Sequence, residues 1–310
     1  MRTLAGLVLC AVAVSAADSP GFTIGALRRD GVVIPFAAYD GKNWTARWPA
    51  PVRDPEIPIN LRSIPPRWWA KDPVTIWATW IEGRAGASIN VLRPDVIDAH
   101  CVRQVGLRTD YRSGQPLAPP DVQPYPKDGL AIAPQQTLES IETIDVRAPQ
   151  LNGLASVLHE AFDKAERVTA GGFNHPVPQR VREQMEPQLE AVYAFGQAPR
   201  IYYVESHRQY DVLMAEGRFP FEDSPRCGMA FGTGWFSRDD KGFHSLDMSV
   251  RIVRCDKYGA TYMLPFGGMH LGSRTYWIVQ FSGWDHERYV VVAVDSKTVQ
   301  AVINASGGGC

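Results

Sequence analysis

The sequence predicts an α+β protein dominated by β-structure, with antiparallel sheets arranged as a sandwich or barrel and one main amphipathic helix near residues 152–169. Three observations predict it. Short runs rich in Val, Ile, Tyr, Phe and Trp recur along most of the chain, separated by Gly, Asp and Asn turn signals. One segment alone carries apolar residues at three- and four-residue spacing. Proline-rich stretches interrupt the first half where a helix would otherwise have room. No fixed-period repeat marks a propeller.

In chain order, "MRTLAGLVLCAVAVSAADSPGF" opens with Arg2, an apolar run from Leu4 to Val14 and the small-residue pattern Val14-Ser15-Ala16. That is the layout of a signal peptide over residues 1–17, and the run is too short to span a bilayer. The expected location is therefore secreted or periplasmic, with no membrane span after cleavage. Leu9 before Cys10 argues against lipid attachment there.

Removing Arg2 with the leader changes 32 basic residues to 31 against 33 acidic, so the formal net charge moves from −1 to −2. Such a balance supplies no field to attract nucleic acid or anionic lipid, and nucleic-acid partners are set aside. About 290 residues with 45% hydrophobic content suffice for one large domain or two ordinary ones.

The run "FTIGALRRDGVVIPFAAYDGKNW" places Asp30-Gly31 between β-prone segments, which predicts a hairpin with strands near 22–28 and 32–38. From Trp48 to Pro73 seven prolines exclude a long helix and any central strand, leaving Ile57–Leu61 as one short strand. Strand patterns resume at "VTIWATWIE" and "ASINVLRPDVIDAHCVRQVGLRT". The proline-rich loop 112–127 is then the best internal boundary, dividing an N-terminal β-rich region (18–111) from a helix-containing β-rich region (128–310). The two regions can also form a single domain.

The helix carries Leu154, Val157, Leu158, Ala161, Phe162, Ala165 and Val168 on its expected apolar stripe, with Asn152 as N-cap and Gly171-Gly172 as a stop. A shorter helix is expected over 178–186, since proline is tolerated in a first turn. After it the chain returns to β-pattern, from "LEAVYAF" to a closing antiparallel meander of "TYWIVQFSGW", "RYVVVAV" and "TVQAVIN". "RYVVVAV" is apolar on both faces, which predicts a sheet covered on both sides.

Candidate chemistry centres on "VLHEAFDKAE". Asp163 stands where a zinc-peptidase HExxH motif needs its second histidine. At about 100° per residue, His159, Asp163 and Glu166 share the face opposite the expected apolar stripe, while Glu160 falls outside the group. His159 and Asp163, joined by His175, are the candidate metal ligands, able in principle to polarise water. The same residues equally suit a solvated polar face. Glu205 and His207 project to one side of a predicted strand and form a second acid–base candidate.

Six of nine tryptophans lie between positions 44 and 80. Among them Trp48, Trp68 and Trp69, in the proline-rich segment, are candidates for binding a glycan or another extracytoplasmic ligand, because an indole offers a rigid apolar face. "GTGWFS" lacks the third glycine of a dinucleotide fingerprint and reads as a turn, and no GxSxG elbow or Walker loop occurs. "NWT" and "NAS" are glycosylation acceptors in a host with that machinery.

Cys101, Cys227, Cys255 and Cys310 remain after leader removal and permit two disulfides in any of three pairings. Cys310, behind "SGGG", is expected to pin the C-terminus to the body. Export, strand-rich construction and the absence of a catalytic motif together favour a non-catalytic binding or structural module. The competing expectation is an extracytoplasmic hydrolase, metal-assisted, using the polar face of helix 152–169.

Overall fold

A computed structural model describes residues 21–46, 48–170, 184–197, 199–210, 228–254, 257, 259–284 and 286–310. The expected leader, His175, Cys227, Cys255, the Gly171-Gly172 stop and residues 178–183 of the second helix lie outside the described residues. Within them the β-dominated class holds: antiparallel sheets, one of them barrel-like, and a single α-helix.

Seven strands build the first sheet: β1 (Phe22–Arg28), β2 (Val32–Tyr39), β3 (Trp44–Thr45), β4 (Ile76–Ile81), β5 (Arg84–Ala99), β6 (Val102–Thr109) and β7 (Lys127–Ala133). Their order is β1-β7-β4-β5-β6-β2-β3, and β1 also pairs with β2. That extra pairing closes six strands into a ring. The ring draws β7 from beyond the 112–127 loop. The Asp30-Gly31 hairpin forms as expected; Gly31 has φ +80°, and a Cβ there would lie 2.9 Å from the Tyr111 carbonyl oxygen.

One or more side chains from each ring strand, Leu27, Val33, Trp77, Ile89, Leu107, Ala131 and Ala133 among them, form the ring's interior cluster. Residues of opposite parity, such as Ile24, Ala26, Ile34, Leu130 and Ile132, point outward into a second cluster. The expected strand at Ile57–Leu61 is absent. Asn60 instead caps a 3₁₀ turn at Leu61–Ser63 by accepting the Arg62 N–H at 3.0 Å, and the ladder contact in this segment is the Val52–Arg103 bridge. Pro58 removes one donor that a strand there would need.

The second sheet contains β8 (Glu142–Ile144), then α1 (Leu154–Ala170), β9 (Gln188–Phe195), β10 (Arg200–Tyr210), β11 (Gly228–Asp239) and β12 (Gly242–Arg254), in strand order β12-β11-β10-β9-β8. The meander β13 (Tyr262–Leu271), β14 (Arg274–Ser282), β15 (His286–Val294) and β16 (Val299–Gly309) is the third. It lies between the other two. Tyr276, Ile278, Tyr289 and Val291 pack with the ring's outward residues, whereas Trp277, Val279, Val290 and Val292 pack with Phe195, Ile201, Tyr203 and Trp235 of the second sheet. This accounts for the two-sided apolar character of "RYVVVAV". Each such fully buried side chain contributes about 1.5–3 kcal/mol of transfer free energy.

The C-terminal glycines are strand rather than flexible tail. Gly307 and Gly308 are buried in β16, where a Cβ on Gly308 would sit 2.8 Å from the Ala99 carbonyl oxygen. The Gly309 N–H donates to the His100 carbonyl at 2.6 Å, and Gln104 Nε2 donates to the Gly307 carbonyl at 2.9 Å. A Cys101–Cys310 disulfide fastens this strand end to the β5–β6 turn, as expected for Cys310. No helix among the described residues is long and apolar enough to cross a membrane.

A buried ion pair also ties the ring to the meander. Lys127 Nζ lies 2.5 Å from Glu287 Oε1, each side chain 3% exposed, and the Tyr289 hydroxyl donates to the same carboxylate. Burial pushes the Lys127 pKa down, opposed by its attraction to Glu287.

Candidate functional site

The helix α1 lies on the outer face of the second sheet, and its orientation differs from the wheel drawn from sequence. Leu154, Leu158, Phe162 and Glu166 form the buried row, while Val168 is 77% exposed. The buried face is rotated roughly 70° from the expected stripe. It starts at Leu154 behind Gly153, not at an Asn152 N-cap; Asn152 closes the preceding 3₁₀ turn. The reason is Arg208 of β10. Its guanidinium enters the interface under the helix and compensates a carboxylate in the buried row.

Arg208 Nη1 donates to Glu166 Oε2 at 2.7 Å, and its Nη2 donates to Asp163 Oδ1 at 2.7 Å. The Tyr210 hydroxyl donates to the other Glu166 oxygen. The guanidinium carbon stands 4.9 Å above the Phe162 ring. His159 completes the row: Nε2 is 3.2 Å from Asp163 and Nδ1 is 2.8 Å from Glu186. The Glu186 hydrogen bond is the largest influence raising the His159 pKa, with Asp163 adding to it.

The structure therefore brings His159, Asp163 and Glu166 together, but around an arginine. A guanidinium already supplies the positive charge that a metal would bring. Among the described residues no group of three His, Cys, Asp or Glu side chains is arranged to hold a metal ion. The proposed third ligand, His175, is outside those residues.

Glu205 and His207 do share a face of β10, and β9 adds Glu190 between them. His207 Nδ1 is 2.6 Å from Glu190 Oε1, and Lys257 Nζ is 2.7 Å from Glu190 Oε2. Glu205 is 2% exposed and accepts the Met263 backbone N–H at 2.7 Å, joining β10 to the outer edge of β13. Burial, then the Glu190 charge, push its pKa up to about 7, against the backbone hydrogen bond and Lys257. Glu205 has the raised pKa of an acid–base group and the burial of a structural staple.

Trp48, Trp68 and Trp69 are half-buried. Trp48 and Trp69 pack on the interior cluster of the ring, the Trp48 indole N–H donates to the Val105 carbonyl at 2.7 Å, and Trp68 tilts against Trp48 with ring centroids 6.0 Å apart. They form part of the wall rather than an open platform.

Sequence reading missed the partners: Arg208, Glu186, Glu190 and Lys257, each distant in the chain from the residue it satisfies. It also missed a groove beside the ring. Arg29, Ser88, Asp110, Tyr111, Arg112 and Gln115 help line a cavity of about 640 Å³ beside β4, β5 and the loop after β6. Arg29 Nε and the Tyr111 hydroxyl both donate to Asp128, at 3.0 and 2.9 Å, which fixes the Tyr111 ring. Burial and Asp128 push the Tyr111 pKa up to about 12, so it stays a neutral donor. Asp110 is held ionised by Asn90, whose Nδ2 donates to it at 2.6 Å.

Fold and site define a β-dominated α+β protein with a covered central sheet and with Asp163 and Glu166 of α1 paired to Arg208. The chain matches no protein-family model, no curated protein and no solved structure.

Proposed function

We propose that this chain is an exported, non-catalytic binding module whose ligand is a glycan or similarly hydroxyl-rich extracytoplasmic molecule. The observation that carries the reading is the groove beside the ring. It offers a fixed aromatic ring, Tyr111, with charged and amide groups from Asp110, Arg112 and Gln115 around it. Planar polar side chains flanking an aromatic face match alternating hydroxyls and C–H faces of a sugar. Its volume lies in the range of small-molecule sites.

Export is supported by the leader-like N-terminus and by a disulfide, which persists in oxidising compartments. The non-catalytic part is supported by the commitment of Asp163 and Glu166 to Arg208, and of Lys257 to Glu190. A hydrolase acting through the polar face of α1 would require those carboxylates to leave Arg208 during turnover.

Calorimetric titration with a panel of neutral and acidic oligosaccharides tests the reading. At least one is expected to bind, and Tyr111→Ala and Arg112→Ala are each expected to weaken that binding about tenfold or more. No heat from any member of a broad panel, or binding unchanged in both variants, overturns it.

A further inference from the structure

The sheet edges of this protein are covered to different extents among the described residues. The first sheet closes on itself, and its appended strand β3 is two residues long. On β13 the Met263 N–H is taken by Glu205, and Gly268 exchanges both backbone hydrogen bonds with Glu139, each 2.8 Å. On β16 Gln104 and His100 take Gly307 and Gly309. β8 has three residues. β12 has 13 residues and ends its sheet. Its backbone receives one side-chain hydrogen bond from outside the sheet among the described residues, Thr169 Oγ1 to the Val250 carbonyl at 2.7 Å, which leaves that oxygen a second lone pair. A long open edge is a template for another strand.

The sequence of β12 specifies which strand. Asp247, Ser249 and Arg251 alternate along one face and are exposed, and neither Asp247 nor Arg251 makes an ion pair among the described residues. An antiparallel copy related by a two-fold axis at Ser249 sets Asp247 of each chain directly opposite Arg251 of the other. Opposite charges in directly facing positions favour a register. Moving the axis two residues one way sets Asp247 against Asp247, and two residues the other way sets Arg251 against Arg251. Met248 and Val250 then meet their counterparts on the opposite face, beside the groove of about 740 Å³ between β12 and α1. Self-complementarity of this kind is what a two-fold interface requires.

We propose that β12 pairs antiparallel with β12 of a second copy of this chain through a two-fold axis at Ser249, joining two five-stranded sheets into one of ten strands. The proposal is independent of the groove beside the ring and of any ligand held there.

Sedimentation velocity on the full mature chain, across a concentration series, tests it. The wild type is expected to be dimeric at about 100 μM or below, as an interface of useful affinity would be. Asp247→Arg and Arg251→Asp should each raise the dimer dissociation constant about tenfold or more, with unchanged thermal midpoint of the monomer. The double variant Asp247→Arg/Arg251→Asp restores both cross-strand pairs and should return the constant to within about threefold of wild type. A chain that remains monomeric throughout overturns the pairing and leaves the edge to an extended peptide. Single variants that dimerise like wild type, or a double variant as weak as the singles, overturn the register and the proposal with it.

Discussion

Arg208 and Glu166 meet at 2.7 Å beneath helix α1, with Arg208 1% exposed and Glu166 1% exposed. A charge so buried is tolerated only while its partner stays. This relationship decides both how the helix sits and what its polar residues can do.

Arg208→Met is therefore expected to destabilise the fold by about 3–5 kcal/mol, because Glu166 is left buried and uncompensated. Arg208→Met combined with Glu166→Leu should recover more than half of that loss, since an apolar pair of similar volume removes the stranded charge. Urea denaturation of the three proteins gives the numbers. A double variant no better than the single would show that packing against Phe162, and not charge, dominates.

Glu205 should make this fold less stable as the pH rises. Its folded-state pKa of about 7 lies above the ordinary 4.5, so between those values the folded state holds a proton that the unfolded state releases. The contribution is favourable to unfolding above pH 7 and absent below about pH 4.5, and at full extent is on the order of 3 kcal/mol. Glu205→Gln keeps an acceptor for the Met263 N–H and removes the proton linkage. Its stability relative to wild type should therefore increase from pH 5 to pH 8, where these are about the ends of the window. Parallel denaturation curves at the two pH values would contradict the assignment.

The sign is the same for His159, although there it is the charged form that the fold favours. Glu186, and then Asp163, raise its pKa above the ordinary 6.5, so the stabilisation is fully present below the unfolded value and is lost as pH rises through the folded one. A proton-detected titration of the imidazole should find the elevated pKa. Glu186→Gln should bring it down while leaving the Asp163 contact in place, and an unchanged titration in that variant would remove Glu186 as the main cause.

Cys101 and Cys310 are 209 residues apart in sequence and joined across the base of β16. Digestion of unreduced protein should yield a single linked peptide pair containing both. The Cys101→Ser variant should lose roughly 2–5 kcal/mol of stability. Hydrogen exchange should accelerate first at residues 305–309, because the disulfide restrains the strand end. Uniform acceleration across all sheets would show that the bond acts on the whole chain instead.

The ring hairpin, the meander and the helix were legible in sequence because each is a local signal. Asp30-Gly31 dictates a tight turn between two β-prone runs, and Leu154, Leu158 and Phe162 recur at a helical period. The pairing of β1 with β7, which closes the ring, was not legible, since it spans about a hundred residues that periodicity does not connect. The strand expected at Ile57–Leu61 failed for a local reason, the Asn60 cap, that outweighed its apolar content.

The candidate site divides in the same way. By itself the sequence determined that His159, Asp163 and Glu166 lie along one side of a helix, because backbone geometry fixes side-chain direction at 3.6 residues per turn. It could not determine which side of the helix is buried. Arg208 lies 42 residues beyond Glu166 in the chain and reaches it only because β10 runs under α1. A helical wheel counts apolar residues, whereas burial of Glu166 is made tolerable by a charge on another element. The tertiary structure alone decided that the polar face is covered, and that what covers it is an arginine.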